Sequence, residues 1–314
     1  MRLDLVEGAA KGSDTPMMRG MYAAISGLDV NQTMLDATAN DLANVNTVGY
    51  KSSEVTFANA LTQIQQGAAG AVGSTGGSNP IQIGLGVQLN AISPEMTQGS
   101  LQSTGNPTDV AIQGDGWFRV GTGTPSTTAP ASNTPTVFQY TKAGNFTTNA
   151  SGFLTTQDGQ YVIGRVATPS GTAPNITYTP GTSDTYIYVP PGSTNLAIGQ
   201  DGSVTYTDET PTDATYGDTV NAGYISLATF PNQEGLQNMG GSNWATTANS
   251  GAPTVGTPGV NGLGETISGE LEQSNVDMAT EMTNMITAQQ GYDANSKVIT
   301  TADQMLQSVV NMVQ

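Results

Sequence analysis

Two segments at opposite ends of this chain repeat apolar residues every seven positions, and nothing between them does. Near the start Met18, Met21, Ile25, Leu28, Leu35 and Leu42 follow a 3-4-3-7-7 spacing, with Gln32 and Ala39 at the skipped positions. Near the end Met282, Met285, Tyr292, Ile299, Leu306 and Val313 continue the same repeat. Such spacing predicts a helix with an apolar seam at each terminus, so that the chain closes on itself through its two ends. Two helices bury less apolar stripe on each other than these seams offer, which points to packing against further copies. From the pattern alone, a two-helix hairpin buried inside one monomer is an equal reading.

Between the helices the period changes to two. Ile81, Ile83, Leu85, Val87 and Leu89 alternate with Gln82, Gly84, Gly86 and Gln88, which predicts one strand with a buried face. Short strand-like runs follow at 109–112, 117–120, 138–140, 161–163, 186–189 and 224–228, punctuated by Asp115-Gly116, Asp158-Gly159 and Asp201-Gly202. The predicted fold class is therefore α+β: terminal α-helices form a coiled-coil-like layer, and a mainly antiparallel all-β domain is inserted between them. The expected organisation is a leader or misassigned start over 1–16 and an N-terminal helix with an extended arm over 17–66. A Gly-rich linker over 67–80 leads to a central β domain with a variable insertion over 81–235. A returning linker over 236–273 and a C-terminal helix over 274–314 complete it. The first helix is expected from about Met18 to Val45, with a short helix closing the arm. The second is expected to be capped by Ser274 or Asn275, with Asp277 in its first turn.

Composition narrows the functions open to such a chain. Eight Lys plus Arg against 25 Asp plus Glu give a net charge of -17, which disfavours nucleic acid and anionic membranes as partners. No apolar run approaches the roughly 20 residues of a membrane span, and Met1 to Pro16 lack the apolar stretch of a secretory signal peptide. With no Cys there are no disulfides or thiolate metal sites, and with no His the commonest general base and metal ligand is missing. No catalytic, cofactor-binding or metal-binding residues are therefore assigned, and no cofactor is expected.

Three blocks, in order, carry a family likeness. Asn40-Asp41-Leu42-Ala43-Asn44-Val45-Asn46-Thr47-Val48-Gly49-Tyr50-Lys51 resembles the signature that ends the first helix in the bacterial flagellar rod and hook protein family. Asp109 to Phe118 and Tyr140 to Phe146 resemble its central β-domain motifs. Ser274-Asn275-Val276-Asp277, then Met285-Ile286, Gln289 and Gly291 to Lys297 with Asn295 and Ser296, resemble its carboxyl-terminal signature. Asp41 stands where the family usually shows Asn, and Gln290 where many members carry Arg.

The resemblance implies a non-enzymatic structural subunit in the extracytoplasmic flagellum, exported by the flagellar type III apparatus. It would polymerise into a helical tube through its terminal helices and contact neighbouring rod, hook-cap and hook-filament junction proteins. The opening Gly20 to Gly27 is more similar to short hook proteins, so the hook, the flexible joint between rod and filament, is expected ahead of the distal rod. The seam residues named above are the expected subunit-packing positions. A polysaccharide-active enzyme would need paired carboxylates across a cleft, for which Asp109 and Asp115 are the candidates. An adhesin-like module would need an aromatic cluster, whereas Trp117 and Trp244, far apart in sequence, are expected to pack in the β core.

Overall fold

Both terminal heptad segments are helical in the computed structural model, which describes residues 4–70, 76–125, 135, 137–170, 177–209 and 217–313. Helix α1 spans Asp4–Ala43 and helix α2 spans Met278–Val313. α1 starts well before Met18, over the residues expected as a leader, where Leu5, Glu7, Ala9, Ala10 and Lys11 favour helix. It stops because Thr47 turns back to donate to the Asn44 carbonyl at 3.0 Å, and Gly49 then takes a φ of 67°. At the start of α2 the cap is Asp277 and neither of the expected residues. Its Oδ1 accepts from Ala279 N at 2.9 Å, while Ser274 and Asn275 are engaged elsewhere.

The chain divides into two compact units: residues 1–43, 53–94 and 277–314, and residues 44–52 and 95–276. In the first, α1 and α2 pack on each other through small side chains. Ala24, Gly27, Val30, Thr38 and Asp41 are buried on α1, and Ala288 and Ala302 on α2. At 3.6 residues per turn, the buried α1 stripe lies about a quarter turn away from the Met21, Ile25, Leu28, Leu35 and Leu42 seam. Close approach of two backbones selects small residues, and the larger side chains are displaced to the flank.

The same unit holds two antiparallel ribbons. β1 (Ser53–Asn59) and β2 (Thr62–Gln66) are followed by β3 (Ile81–Gly84) and β4 (Val87–Pro94), with β1 paired to β4 and β2 to β3. The single strand expected over 81–89 is thus two strands broken at Gly86, whose φ of 119° no β-branched residue tolerates. Ser26 meets that glycine: its hydroxyl donates to the Ala23 carbonyl at 2.8 Å and accepts from Val87 N at 3.3 Å, leaving no room for a Cβ on residue 86. The short helix expected before Gln66 is strand as well. Residues 71–75 of the Gly-rich linker lie outside the described residues.

In the second unit the largest sheet contains 13 strands among the described residues, and every named pairing is antiparallel. Its core includes Phe118, Phe146, Leu154, Val162, Ile187 and Ile225, with the Phe118 and Phe146 rings edge to face at 5.1 Å. Trp117 and Trp244 meet edge to face at 5.8 Å in a second cluster with Tyr140 and Phe230, so they are core residues as expected, although not separate ones. Asp158-Gly159 and Asp201-Gly202 close tight turns, with Gly159 at φ 79° and Gly202 at 76°.

The expected linker at 236–273 carries five strands. Glu265–Ser268 pairs with Val110–Gln113, and Glu270–Glu272 with Leu101–Ser103. Runs of three or four residues are too short to show a period of two, and the surrounding Gly and Pro read as loop. Of the variable insertion, residues 126–134, 136, 171–176 and 210–216 lie outside the described residues. The remainder supplies two ten-residue strands, Tyr161–Ser170 and Thr177–Tyr186, paired in antiparallel register.

Candidate assembly interface

The predicted packing residues are partly or fully open to solvent. Met21, Leu28, Leu35 and Leu42 on α1 are half-buried and Ile25 is 44% exposed. On α2, Met285, Ile299 and Leu306 are half-buried, Met282 is 48% exposed and Tyr292 is exposed; the Val313 side chain lies outside the described residues. Beyond the predicted set, Met18, Tyr22, Met278, Ile286, Met305, Val309 and Met312 on the two helices are also exposed. The ribbons add Leu61, 83% exposed, with Ile64, Ile81 and Ile92. Exposed large apolar side chains are thus concentrated on the helices and ribbons of this unit.

The motif residues lie in two places. Asn295 and Ser296 sit on α2, and Leu42 and Ala43 end α1. Asp41, the departure from the family pattern, is fully buried and its Oδ2 accepts from Ser53 N at 3.0 Å, which fixes how the chain leaves α1. Asp277 caps α2, and the others converge in the second unit. Lys51 Nζ lies 2.7 Å from Glu272 Oε1 with both side chains fully buried, and donates to the Thr97 carbonyl at 2.6 Å. The same Glu272 Oε1 accepts from Gly99 N at 3.0 Å, and the Glu272 carbonyl accepts from Gly49 N at 2.9 Å.

Gly49 is required twice over at this point. Its φ is positive, and a Cβ on it would stand 2.7 Å from Ala143 N, against the backbone of the central motif.

Asn275 completes the junction with both ends of its amide. Oδ1 accepts from Ser52 N at 2.8 Å, Nδ2 donates to the Glu95 carbonyl at 2.9 Å, and Glu95 N donates to the Ser52 carbonyl at 2.7 Å. Three segments distant in sequence are thereby joined in a triangle of hydrogen bonds. Thr47 Oγ1 donates to Asn44 Oδ1 at 3.1 Å, and Ser274 Oγ accepts from Val276 N at 3.2 Å. The sequence pointed to Lys51 and Asn275 and missed Glu272, Glu95 and Thr97. A carboxylate two residues ahead of Ser274, in a chain so poor in Lys, was the available signal.

The electrostatics follow from burial. Lys51, Arg119 and Lys142 are all buried, so three of the eight cations are withdrawn from the surface. Arg119 Nη2 holds Asp184 at 2.9 Å. Desolvation lowers the Lys142 amine to about 8, only partly offset by Glu272; its Nζ lies over the Trp117 ring at 5.4 Å. Asp109 is taken by Thr104 Oγ1 at 2.7 Å and Asn106 Nδ2 at 3.2 Å, and Asp115 sits in a turn whose carbonyl accepts from Gly264 N at 2.7 Å. Among the described residues no group of three or more Asp or Glu could hold a metal ion, and no helix is long and apolar enough to cross a membrane.

Comparison with known proteins gives this geometry its context. Residues 21–51 match the family described as flagella basal body rod protein, 111–206 the flagellar hook protein FlgE/F/G D1 domain, and 267–312 the flagellar basal body rod FlgEFG protein C-terminal region. The flagellar basal-body rod protein FlgG of Bacillus subtilis is 39% identical over 297 residues, covering 94% of this chain and 99% of the relative. This chain belongs to the flagellar basal-body rod and hook protein family. Agrobacterium fabrum FlgG, another rod protein, is 37% identical over 290 residues, 92% of this chain and 97% of the relative. Flagellar hook protein FlgE of Borreliella burgdorferi is 27% identical over 452 residues, 94% of this chain and 100% of the relative.

Membership makes the chain a structural protein of the bacterial flagellar rod and hook, part of the extracytoplasmic flagellum. The expected order, hook ahead of distal rod, is reversed by these relatives. The Gly20 to Gly27 opening is too short a segment to outweigh a likeness that runs nearly end to end.

Proposed function

We propose that this chain is the distal-rod subunit of the flagellar basal body, polymerising with copies of itself into a helical tube. The observation that carries this reading is the near-complete mutual coverage with basal-body rod relatives, against a hook relative that needs a 452-residue alignment to span the same chain. The exposed apolar faces of α1 and α2 supply the surface that such packing buries, and contacts that do not close into a ring propagate as a helix. The stripe residues Met21, Ile25, Leu28, Leu35, Leu42, Met282, Met285, Tyr292, Ile299, Leu306 and Val313 are the proposed subunit contacts.

The motif residues Asn44, Thr47, Gly49, Tyr50, Lys51, Ser274, Asn275 and Val276 belong to the bonded node inside the β unit, and Asp277 caps α2. Neighbouring rod proteins and the flagellar type III export apparatus are the proposed partners. Electron microscopy of basal bodies from a strain deleted for this gene tests the assignment. A truncated rod is expected; a complete rod lacking a hook would assign the hook instead, and intact rods and hooks would overturn both.

A further inference from the structure

Gly27 and Gly291 occupy helix interiors, where glycine costs about 1 kcal/mol relative to alanine, and neither uses a positive φ. Their surroundings explain them. A Cβ on Gly27 would lie 2.5 Å from Asn295 Nδ2 and 3.0 Å from its Cγ, and a Cβ on Gly291 would lie 2.6 Å from Asn31 Oδ1 and 3.0 Å from its Cγ. Each helix thus carries a glycine followed four residues later by an asparagine, and each asparagine lies on the glycine of the other helix. The crossed pairing, 27 with 295 and 31 with 291, makes the helices antiparallel. Asn31 is held in place by its own bond, Nδ2 to the Gly27 carbonyl at 2.6 Å.

We propose that Gly27, Asn31, Gly291 and Asn295 form a reciprocal interlock that sets the register of the two terminal helices, and act as positioning residues for assembly. This rests on the assembly reading above. The apolar residues of the buried face, Ala24, Val30, Ala288 and Ala302, are small and offer little resistance to sliding, and the buried Thr38 and Asp41 bond within their own segment, to the Met34 carbonyl and to Ser53 N. A slip of one turn, about 5.4 Å, shifts the exposed stripe of α1 against that of α2 and dismantles the surface a second copy would meet. It also moves both amides off their glycines onto side chains that leave no space for them. One polar residue in an otherwise apolar helix seam specifies register in the same way.

Gly20 is the internal control, because a Cβ there meets nothing within 4 Å. The test compares Gly20→Ala, Gly27→Ala, Gly291→Ala and the doubles Gly27→Ala/Asn295→Ala and Gly291→Ala/Asn31→Ala, each in the full chain. Rod completion is counted in isolated basal bodies, and thermal loss of helical circular dichroism is followed in the purified protein. Gly20→Ala should match or exceed the parent in both. Gly27→Ala and Gly291→Ala should lower rod completion by roughly tenfold, the change that overpacking by one methyl corresponds to. Their helices should melt earlier although alanine is the better helix former, and each double should recover part of the loss.

Single variants that behave like Gly20→Ala, or doubles no better than their singles, would overturn the interlock while leaving the assembly reading standing. Intact rods in the deletion strain would sink the assembly reading, and the melting comparison would still decide whether the interlock exists.

Discussion

The two units bury their side chains in opposite ways. In the β unit Trp117, Phe118, Phe146, Phe153, Leu154 and Ile163 are fully buried, and aromatic rings meet edge to face. In the helical unit the buried apolar residues among those described are Ala24, Val30, Ala288 and Ala302, while most of the chain's exposed large hydrophobics lie on its helices and ribbons. Burial of a Phe or Leu contributes about 2–3 kcal/mol, and of an Ala far less. One unit therefore carries its own hydrophobic core, while the other keeps most of its large apolar residues on the outside. With the assembly proposed above, stability in isolation and competence to assemble fall to different parts of one sequence.

The largest effect that would sharpen this contrast is Lys51→Ala. It strands the fully buried Glu272 carboxylate and should destabilise the β unit by about 3–5 kcal/mol in denaturant titrations followed by Trp fluorescence. A shift under 1 kcal/mol would mean that the junction is not what holds that unit.

Next comes pH. The Lys142 amine titrates at about 8 when folded and near 10.5 when unfolded. Below pH 8 both states are protonated and the burial cost is paid in full. Between about 8 and 10.5 the unfolded chain binds the extra proton, so stability should rise with pH. The gain is expected to be on the order of 2–3 kcal/mol by pH 10, and Lys142→Met should abolish the rise. Gly49→Ala, strained in φ and pressed against the 142–143 backbone, should cost the β unit about 2 kcal/mol, seen as a lower unfolding midpoint.

The smallest effect on the isolated chain is the most telling for the other unit. Ile25→Ser with Met282→Ser should change unfolding by no more than about 0.5 kcal/mol, yet sharply reduce rod formation. Normal rods from that variant would show that the stripe is not a subunit contact.

What the sequence revealed follows from how each region encodes its contacts. A seven-residue period over many turns survives noise, so both helices were legible from Met21, Leu28, Leu35, Tyr292 and Ile299. Which face they turn to each other was not, because the pairing face is written in Gly27, Ala288, Gly291 and Ala302, residues that a search for apolar periodicity passes over. Asn275 and Lys51 stood out within motifs, but Glu272 sits in a three-residue strand whose pairing with Leu101–Ser103 is non-local, and its place two residues ahead of Ser274 is the one local cue to it. The tight Asp-Gly turns were readable from chemistry alone, whereas the break at Gly86 depends on Ser26, sixty residues earlier, filling the space a side chain would need.

The triangle of Ser52, Glu95 and Asn275 has a mechanical consequence. The chain passes between the units after Ala43, Ser52, Pro94 and Val276, and three of those four crossings are tied to one another within a single residue of where they leave the β unit. A pulling load applied to the chain at these crossings would reach three backbone segments laced into one node, rather than peeling any one strand from its sheet. Load shared in this way resists failure until the bonds break together, and the Asn275 amide couples all three segments.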